Sequence, residues 1–167
     1  MEGKGRGRLL LVEDESLLRR LIAEFLRAEG FEVIEAADGL EGTGAFVGQG
    51  PFDLVLLDLN LPLLSGVDVC RQIKSRDPLQ PVLICSAAIL DNHVAALHAL
   101  NVDHFLTKPY HPLDLLDRIA FEMSRSIPLA GERIPRPLTT TSLASKPPGT
   151  SLPRRSNPGQ ATSVGLR

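Results

Sequence analysis

Short apolar runs alternate with segments of helical periodicity along residues 1–125. Runs with only apolar side chains are typical of strands buried on both faces of a parallel sheet. The pattern predicts five strands, at residues 9–12, 31–36, 54–57, 82–85 and 103–107. Apolar residues three and four apart predict five helices, at about residues 17–26, 39–47, 66–76, 91–100 and 112–123. Strands that alternate with helices indicate an α/β fold whose helices cover both faces of a parallel sheet.

Residues that start or stop helices refine these bounds. Gly30 is expected to end the first helix, Asp91 to cap the fourth, and Pro112 to occupy the first turn of the fifth. Gly42 and Gly44 each cost about 1 kcal/mol relative to Ala in a helix interior. The second helix is therefore a weaker helix former than usual.

Charge divides the chain of 167 residues into two parts of different composition. Residues 1–125 hold 12 Lys or Arg and 19 Asp or Glu, a net charge of −7, whereas residues 126–167 hold 6 and 1, a net charge of +5. The second part also contains 7 Pro, 11 Ser or Thr and 4 Gly. Such a segment buries too little apolar surface to offset the entropy of ordering. We therefore expect one folded domain over residues 8–125 and a disordered basic tail over residues 126–167.

The cysteines and the N-terminal segment narrow the class of protein. Cys70 and Cys85 allow neither a disulfide framework nor a Cys/His metal spacing, and both fall in apolar segments. They are expected to be buried thiols of a cytosolic protein. The apolar run at residues 9–12 is too short for a signal-peptide core or a membrane span. A soluble, cytoplasmic protein is therefore predicted.

Polar side chains follow four of the five predicted strands. Glu13 and Asp14 follow the first strand, Asp58 the third, Ser86 the fourth and Lys108 the fifth. Because ligands of open parallel sheets bind beyond the carboxyl ends of the strands, these side chains are expected at one edge. Clustered carboxylates repel one another unless a cation lies among them, and hard oxygen ligands suit Mg²⁺. A carboxylate can also attack phosphorus, and the ammonium and hydroxyl could bind phosphoryl oxygens.

Four short motifs in this stretch resemble one known family. They are Leu-Leu-Val-Glu-Asp-Glu at 10–15, the spacing of Asp58, Pro62 and Gly66, Ser86-Ala87 after a strand, and Phe-Leu-Thr-Lys-Pro at 105–109. Each motif is weak alone, but their order and spacing together are specific. From about Arg8 to Arg125 the chain resembles the receiver domain of two-component response regulators, of the single-domain, CheY-like kind. The resemblance implies a flavodoxin-like fold, a doubly wound five-stranded parallel sheet with strand order 2-1-3-4-5.

The resemblance also implies a role for each matching residue of the site. Asp58 would accept a phosphoryl group, and Asp14 and Asp58 would ligate Mg²⁺ directly. Glu13 would assist the metal through water, and Asn60 through its backbone carbonyl. Lys108 would pair with Asp58 or with its phosphoryl group.

Other matching residues would respond to phosphorylation of Asp58 or shape the site. Ser86 would bond a phosphoryl oxygen, and Phe105, the switch aromatic, would turn inward when Ser86 moves. The bond between Lys108 and Pro109 is expected to be cis, as in the family. Asn101 stands at a turn where the family often has Gly, and Asn tolerates a positive φ.

The function implied is a phosphorylation-activated signalling switch. A sensor histidine kinase or a phosphotransfer protein would phosphorylate Asp58 with Mg²⁺, and an unknown downstream protein would read the face formed by helix 4, strand 5 and helix 5. The chain would not be an enzyme in the usual sense, because it would catalyse only its own phosphoryl transfer and dephosphorylation. The alternative is a receiver-like protein-binding module that works without phosphorylation.

Other classes of protein fit the residues less well. A haloacid-dehalogenase-like phosphatase needs a second Asp where Asn60 stands, and too little chain remains for a cap domain. The prolines of the tail exclude a helix-turn-helix, and its basic residues lack interleaved aromatics, so no direct DNA binding and no membrane contact are expected. Four histidines are expected at the surface or partly packed, not as metal ligands: His93, His98, His104 and His111.

Overall fold

All five predicted strands join one parallel sheet in the computed structural model, which describes residues 5–125. The strands are β1 (Gly7–Val12), β2 (Phe31–Ala36), β3 (Leu54–Leu57), β4 (Val82–Ser86) and β5 (Phe105–Thr107). The helices are α1 (Ser16–Ala28), α2 (Gly39–Gln49), α3 (Gly66–Arg76), α4 (Asp91–His98) and α5 (Pro112–Arg125). The strand order is β2-β1-β3-β4-β5, with every neighbouring pair parallel. The expected doubly wound fold is therefore confirmed.

Burial on both faces explains the uninterrupted apolar runs of the central strands. Leu10 and Val12 of β1 belong to a core that includes residues of α2, α3 and α4. Leu9 and Leu11 belong to a second core, with residues of α1 and α5. Because each fully buried Leu side chain contributes roughly 1.5–3 kcal/mol, the alternation along β1 holds both helical layers to one sheet.

Both cysteines are free and buried, as expected, one in each core. Burial raises the pKa of Cys70 to about 11 and the pKa of Cys85 to about 12. Neither thiol is therefore ionised near neutral pH. The expectation of surface or partly packed histidines is also confirmed, because all four are exposed or half-buried.

The region around α4 differs in part from the sequence-based expectation. The predicted cap at Asp91 is wrong, because Leu90 has the extended backbone of an N-cap residue and Asp91 already lies in the helix. The helix ends at His98, two residues earlier than expected. Asn101 closes the following turn with a φ of 57°, which confirms its expected positive φ.

The predicted tail, residues 126–167, lies outside the described residues, so its disorder stays a prediction. Within residues 5–125, every helix is too short or too polar to cross a membrane.

The two glycines inside α2 have opposite surroundings. A Cβ atom added to Gly42 would lie 2.9 Å from Cγ1 of Val12. A Cβ atom added to Gly44 would meet nothing within 4 Å. Gly42 therefore allows α2 to approach the end of β1, whereas no packing contact requires Gly44.

We expect Gly44→Ala to raise the free energy of unfolding by about 0.5–1 kcal/mol, because alanine is the better helix former. Gly42→Ala should lower it by about 1 kcal/mol or more, because the overpacked Val12 must move. Urea unfolding followed by circular dichroism measures both changes. Equal shifts of the same sign would show that helix propensity alone decides at both positions.

Candidate functional site

Backbone hydrogen bonds continue the sheet by one residue beyond its carboxyl edge. The N–H of Asp58 donates to the carbonyl of Val12 at 3.1 Å, and the N–H of Lys108 to that of Ser86 at 3.0 Å. The N–H of Glu13 bonds the last carbonyl of β2 at 3.1 Å. The residues that follow the strands therefore keep the register of the sheet, and their side chains meet at one edge.

The ammonium of Lys108 bridges two buried carboxylates at this edge. Its Nζ lies 2.5 Å from Oε2 of Glu13 and 2.5 Å from Oδ2 of Asp58. The side chains of Glu13 and Asp58 are 3% and 7% exposed, and that of Lys108 is 13% exposed. Water screens so sheltered a group of charges only weakly, which makes the bridge stronger than a surface ion pair.

The two bridged carboxyl groups differ in acidity. Burial raises the pKa of Glu13 above its ordinary value, and the hydrogen bond from Lys108 offsets this only in part. Burial also raises the pKa of Asp58, but hydrogen bonds from Lys108, the N–H of Asn60 and the Ser86 hydroxyl outweigh it, so the pKa is lowered. Asp58 is therefore held as a carboxylate, the form in which it can act as a nucleophile.

A third carboxylate completes an acidic cluster. Oxygen atoms of Glu13, Asp14 and Asp58 lie within 4.8 Å of one another, and Asp14 is exposed to solvent. Three carboxylates face the single ammonium of Lys108, which leaves an excess charge of −2 if all are ionised. A set of hard oxygen donors that is open to water on one side suits Mg²⁺, which keeps several water ligands. The residues present therefore fit the expected metal.

Asn60 links the acceptor candidate to the serine. Its N–H donates to Oδ1 of Asp58 at 3.0 Å, and its side-chain Nδ2 donates to Oγ of Ser86 at 3.4 Å. Ser86 is fully buried and Asn60 is exposed. Both residues thus lie beside Asp58.

The two remaining predicted residues lie on and after β5. Phe105 is half-buried against the core beside α4, with its ring centroid 6.0 Å from that of His98. The peptide bond between Lys108 and Pro109 is cis, as expected. All the predicted site residues are therefore at or next to the carboxyl edge of the sheet, while their roles stay predictions.

Gly66 explains one of the motif spacings. Its N–H donates to the carbonyl of Leu59 at 3.0 Å, which closes the loop after β3. A Cβ atom at this position would lie 2.1 Å from the carbonyl oxygen of Asp58. A side chain here would displace the backbone that carries Asp58.

The contact between Arg19 and the loop that carries Glu13 and Asp14 was not predicted from the sequence. Nη1 of Arg19 donates to the carbonyl oxygens of Glu13 and Asp14, at 2.7 and 3.3 Å. One feature of the sequence could have indicated this contact. Arg19 lies near the start of α1, where the helix dipole disfavours a cation. A basic residue there calls for a compensating contact, and the acidic loop provides it.

Known proteins of one family match this chain in sequence and in fold. The family model of the response regulator receiver domain matches residues 9–120. The sensory transduction protein RegX3 of Mycolicibacterium smegmatis is 38% identical over 117 residues, which are 70% of this chain and 50% of that protein. The alkaline phosphatase synthesis transcriptional regulatory protein SphR of Synechococcus elongatus is 35% identical over 127 residues, 71% of this chain and 49% of that protein.

A solved structure gives the same result for the fold. A response regulator receiver domain protein from Clostridium thermocellum is 32% identical, with a TM-score of 0.66, and the match covers 71% of this chain and 94% of that chain. The chain spans about half the length of the two relatives named above.

We expect Lys108→Met to lower the free energy of unfolding by about 2 kcal/mol at pH 7 without divalent cations, because two buried carboxylates lose their partner. Lys74→Met is the matched control, since Lys74 is also half-buried and its ammonium donates to an uncharged acceptor, the carbonyl of Pro78, at 3.3 Å. The control should change stability by less than about 0.5 kcal/mol. Urea denaturation of the three proteins gives these values.

The loss in Lys108→Met should shrink between pH 7 and pH 5. Without the ammonium, burial raises the pKa of Glu13 further in the folded state, so the folded state binds protons that the unfolded state does not. Stability is then gained as the pH falls. A loss independent of pH, or none at all, would mean that solvent and not Lys108 balances these carboxylates.

Proposed function

The chain belongs to the response regulator receiver family, and on this premise we propose that it is a signalling switch controlled by phosphorylation of Asp58. The observation that carries the proposal is the environment of this one carboxylate. Asp58 is buried, has a lowered pKa, and contacts Lys108 and Asn60 at an edge that holds two more carboxylates. This environment combines an ionised nucleophile with the charges that a phosphoryl group requires.

In the proposed reaction, an oxygen of Asp58 attacks the phosphorus of a phosphohistidine on a sensor kinase or a phosphotransfer protein. The new P–O bond forms as the P–N bond breaks, and the bonding electrons return to the imidazole nitrogen, which is protonated from solvent. Asp14 and Asp58 would hold Mg²⁺ directly, with Glu13 assisting through water and Asn60 through its carbonyl. The metal would neutralise charge on the phosphoryl oxygens.

The residues around Asp58 provide the proposed response. Lys108, now shared between two carboxylates, would bond a phosphoryl oxygen, and the Ser86 hydroxyl would bond another. The Ser86 hydroxyl would give up its hydrogen bond with Asn60 to do so, and Phe105 would move toward the space that Ser86 vacates. Phosphorylation would thereby favour one of two arrangements of the face formed by α4, β5 and α5.

Receiver domains are signalling domains rather than classical enzymes, so the proposed product is altered protein–protein binding. The proposal also includes dephosphorylation by the chain itself and, as a separate step, binding to a downstream partner protein. The relative SphR is named as a transcriptional regulatory protein, but this chain matches about half of its length. The expected absence of direct DNA binding and the cytoplasmic location stay predictions.

Acetyl phosphate and Mg²⁺ should add the mass of one phosphoryl group to the wild-type chain and none to Asp58→Asn. The reason is that the amide cannot act as the nucleophile. Asp117→Asn, an exposed position on α5, is the control and should be labelled like the wild type. Intact-protein mass spectrometry provides the readout, and chelation of Mg²⁺ should stop labelling.

Two results would contradict the proposal. Full labelling of Asp58→Asn would move the acceptor to another residue. No labelling of the wild type, together with unchanged spectra in beryllofluoride, would favour the alternative of a binding module that works without phosphorylation.

Ser86→Ala should still accept the phosphoryl group but lose most of the response on α4, β5 and α5, because the hydroxyl that senses the new oxygen is absent. Amide chemical shifts before and after beryllofluoride binding measure the response. Ser75→Ala, an exposed position on α3, should respond like the wild type. A full response in Ser86→Ala would assign the sensing to Lys108 alone.

A further inference from the structure

The loop between β1 and α1 carries two of the three carboxylates of the acidic cluster. Arg19 contacts this loop through backbone atoms, the carbonyl oxygens of Glu13 and Asp14 at 2.7 and 3.3 Å. The guanidinium thus fixes the path of the backbone without occupying a carboxylate oxygen of the acidic cluster. In this it differs from Lys108, which bonds carboxylate oxygens that a metal ion would also use.

Other contacts hold this loop less firmly on the side of α1. Glu15 is the N-cap residue of α1 but makes no side-chain cap hydrogen bond. The N–H of Glu15 reaches Oε1 of Glu13 only at 3.4 Å. The side chain of Asp14 is exposed and, within residues 5–125, makes no hydrogen bond or ion pair of its own. The direction of the Asp14 carboxylate therefore depends on the backbone that Arg19 holds.

Arg19 is itself held in place from the edge strand. Its side chain is 18% exposed, and its Nε lies 3.7 Å from Oε2 of Glu35 on β2. The other oxygen of Glu35 lies 2.9 Å from Nη2 of Arg27, which also donates to the carbonyl of Val33 at 2.7 Å. This series of contacts restricts the movement of the guanidinium, so its hydrogen bonds to the acidic loop are preorganised.

We propose that Arg19 is a positioning residue of the divalent-cation site. It holds the backbone at residues 13–14 so that Asp14 stays within ligating reach of Asp58 although the two carboxylates repel each other. A metal then binds without first ordering the loop, and residues that orient ligands in this way typically affect metal affinity strongly. The inference rests on the proposed function, because it assumes that Mg²⁺ binds at this cluster.

The test is a Mg²⁺ titration of the full chain, followed by the amide chemical shifts of Asp14 and Glu15. Arg19→Met should raise the Mg²⁺ Kd about tenfold. Arg19→Lys should give an intermediate Kd, since an ammonium is a compact donor that replaces one of the two carbonyl contacts. Glu35→Gln should raise the Kd less than Arg19→Met, because it removes the ionic anchor of Arg19 and leaves the guanidinium.

Arg20→Met is the matched control. Arg20 is the exposed neighbour of Arg19 and pairs only loosely with Glu24, at 3.9 Å. Its removal changes the net charge as Arg19→Met does, so an unchanged Kd separates positioning from long-range charge. An equal rise in Kd for Arg20→Met would overturn the proposal in favour of net charge.

The outcomes also separate this inference from the proposed function. A wild-type Kd in Arg19→Met overturns the positioning role but leaves the Mg²⁺ site intact. No Mg²⁺ response in the wild type overturns both. If Arg19→Met does not fold, as urea unfolding without Mg²⁺ would show, Arg19→Lys and Glu35→Gln decide, and wild-type Kd values in both would overturn the role.

Discussion

The bridge from Lys108 to two buried carboxylates is the interaction on which the carboxyl edge of the sheet depends. Without a cation, removing Glu13 and Asp58 from water would cost several kcal/mol. With the ammonium 2.5 Å from each, hydrogen bonding outweighs the effect of burial on Asp58, which stays ionised while it is shielded from solvent. Because Lys108 follows β5 while its partners follow β1 and β3, the bridge exists only if these strands end at one level. The sheet register is thus a requirement of the electrostatics.

This dependence explains how much of the site was predictable. The buried strands β1, β3 and β4 could be read from their apolar runs, and a parallel sheet places the residues after them at one edge. The position of Asp58 follows from that placement, and the position of Lys108 follows from the strand predicted at residues 103–107. The strand order and the cis bond before Pro109 came only from the family resemblance. The short motifs were specific for the family because each lies at the end of a strand, and the side chains at these strand ends must meet in one site.

Contacts between particular atoms could not be predicted. Gly42 and Gly44 are the same residue type two positions apart, yet only Gly42 faces Val12. Leu63 has a φ of 67°, a conformation that nothing about leucine favours, so only the loop that closes around it explains the value. Periodicity records which face of an element is buried, and these features depend instead on which atoms meet across elements.

Charge balance connects the resting site with its proposed reaction. Three carboxylates and one ammonium leave an excess of −2, which one divalent cation cancels. A phosphoryl group carries about −1.5 to −2, in place of the single charge of the Asp58 carboxylate, so the proposed phosphorylation would restore part of the excess. The phosphoryl oxygens of the proposed product would compete with Glu13 and Asp58 for the N–H donors of Lys108. The ammonium that stabilises the resting edge would therefore also be the group that the proposed phosphorylation redirects, which would couple the stability of this edge to its response.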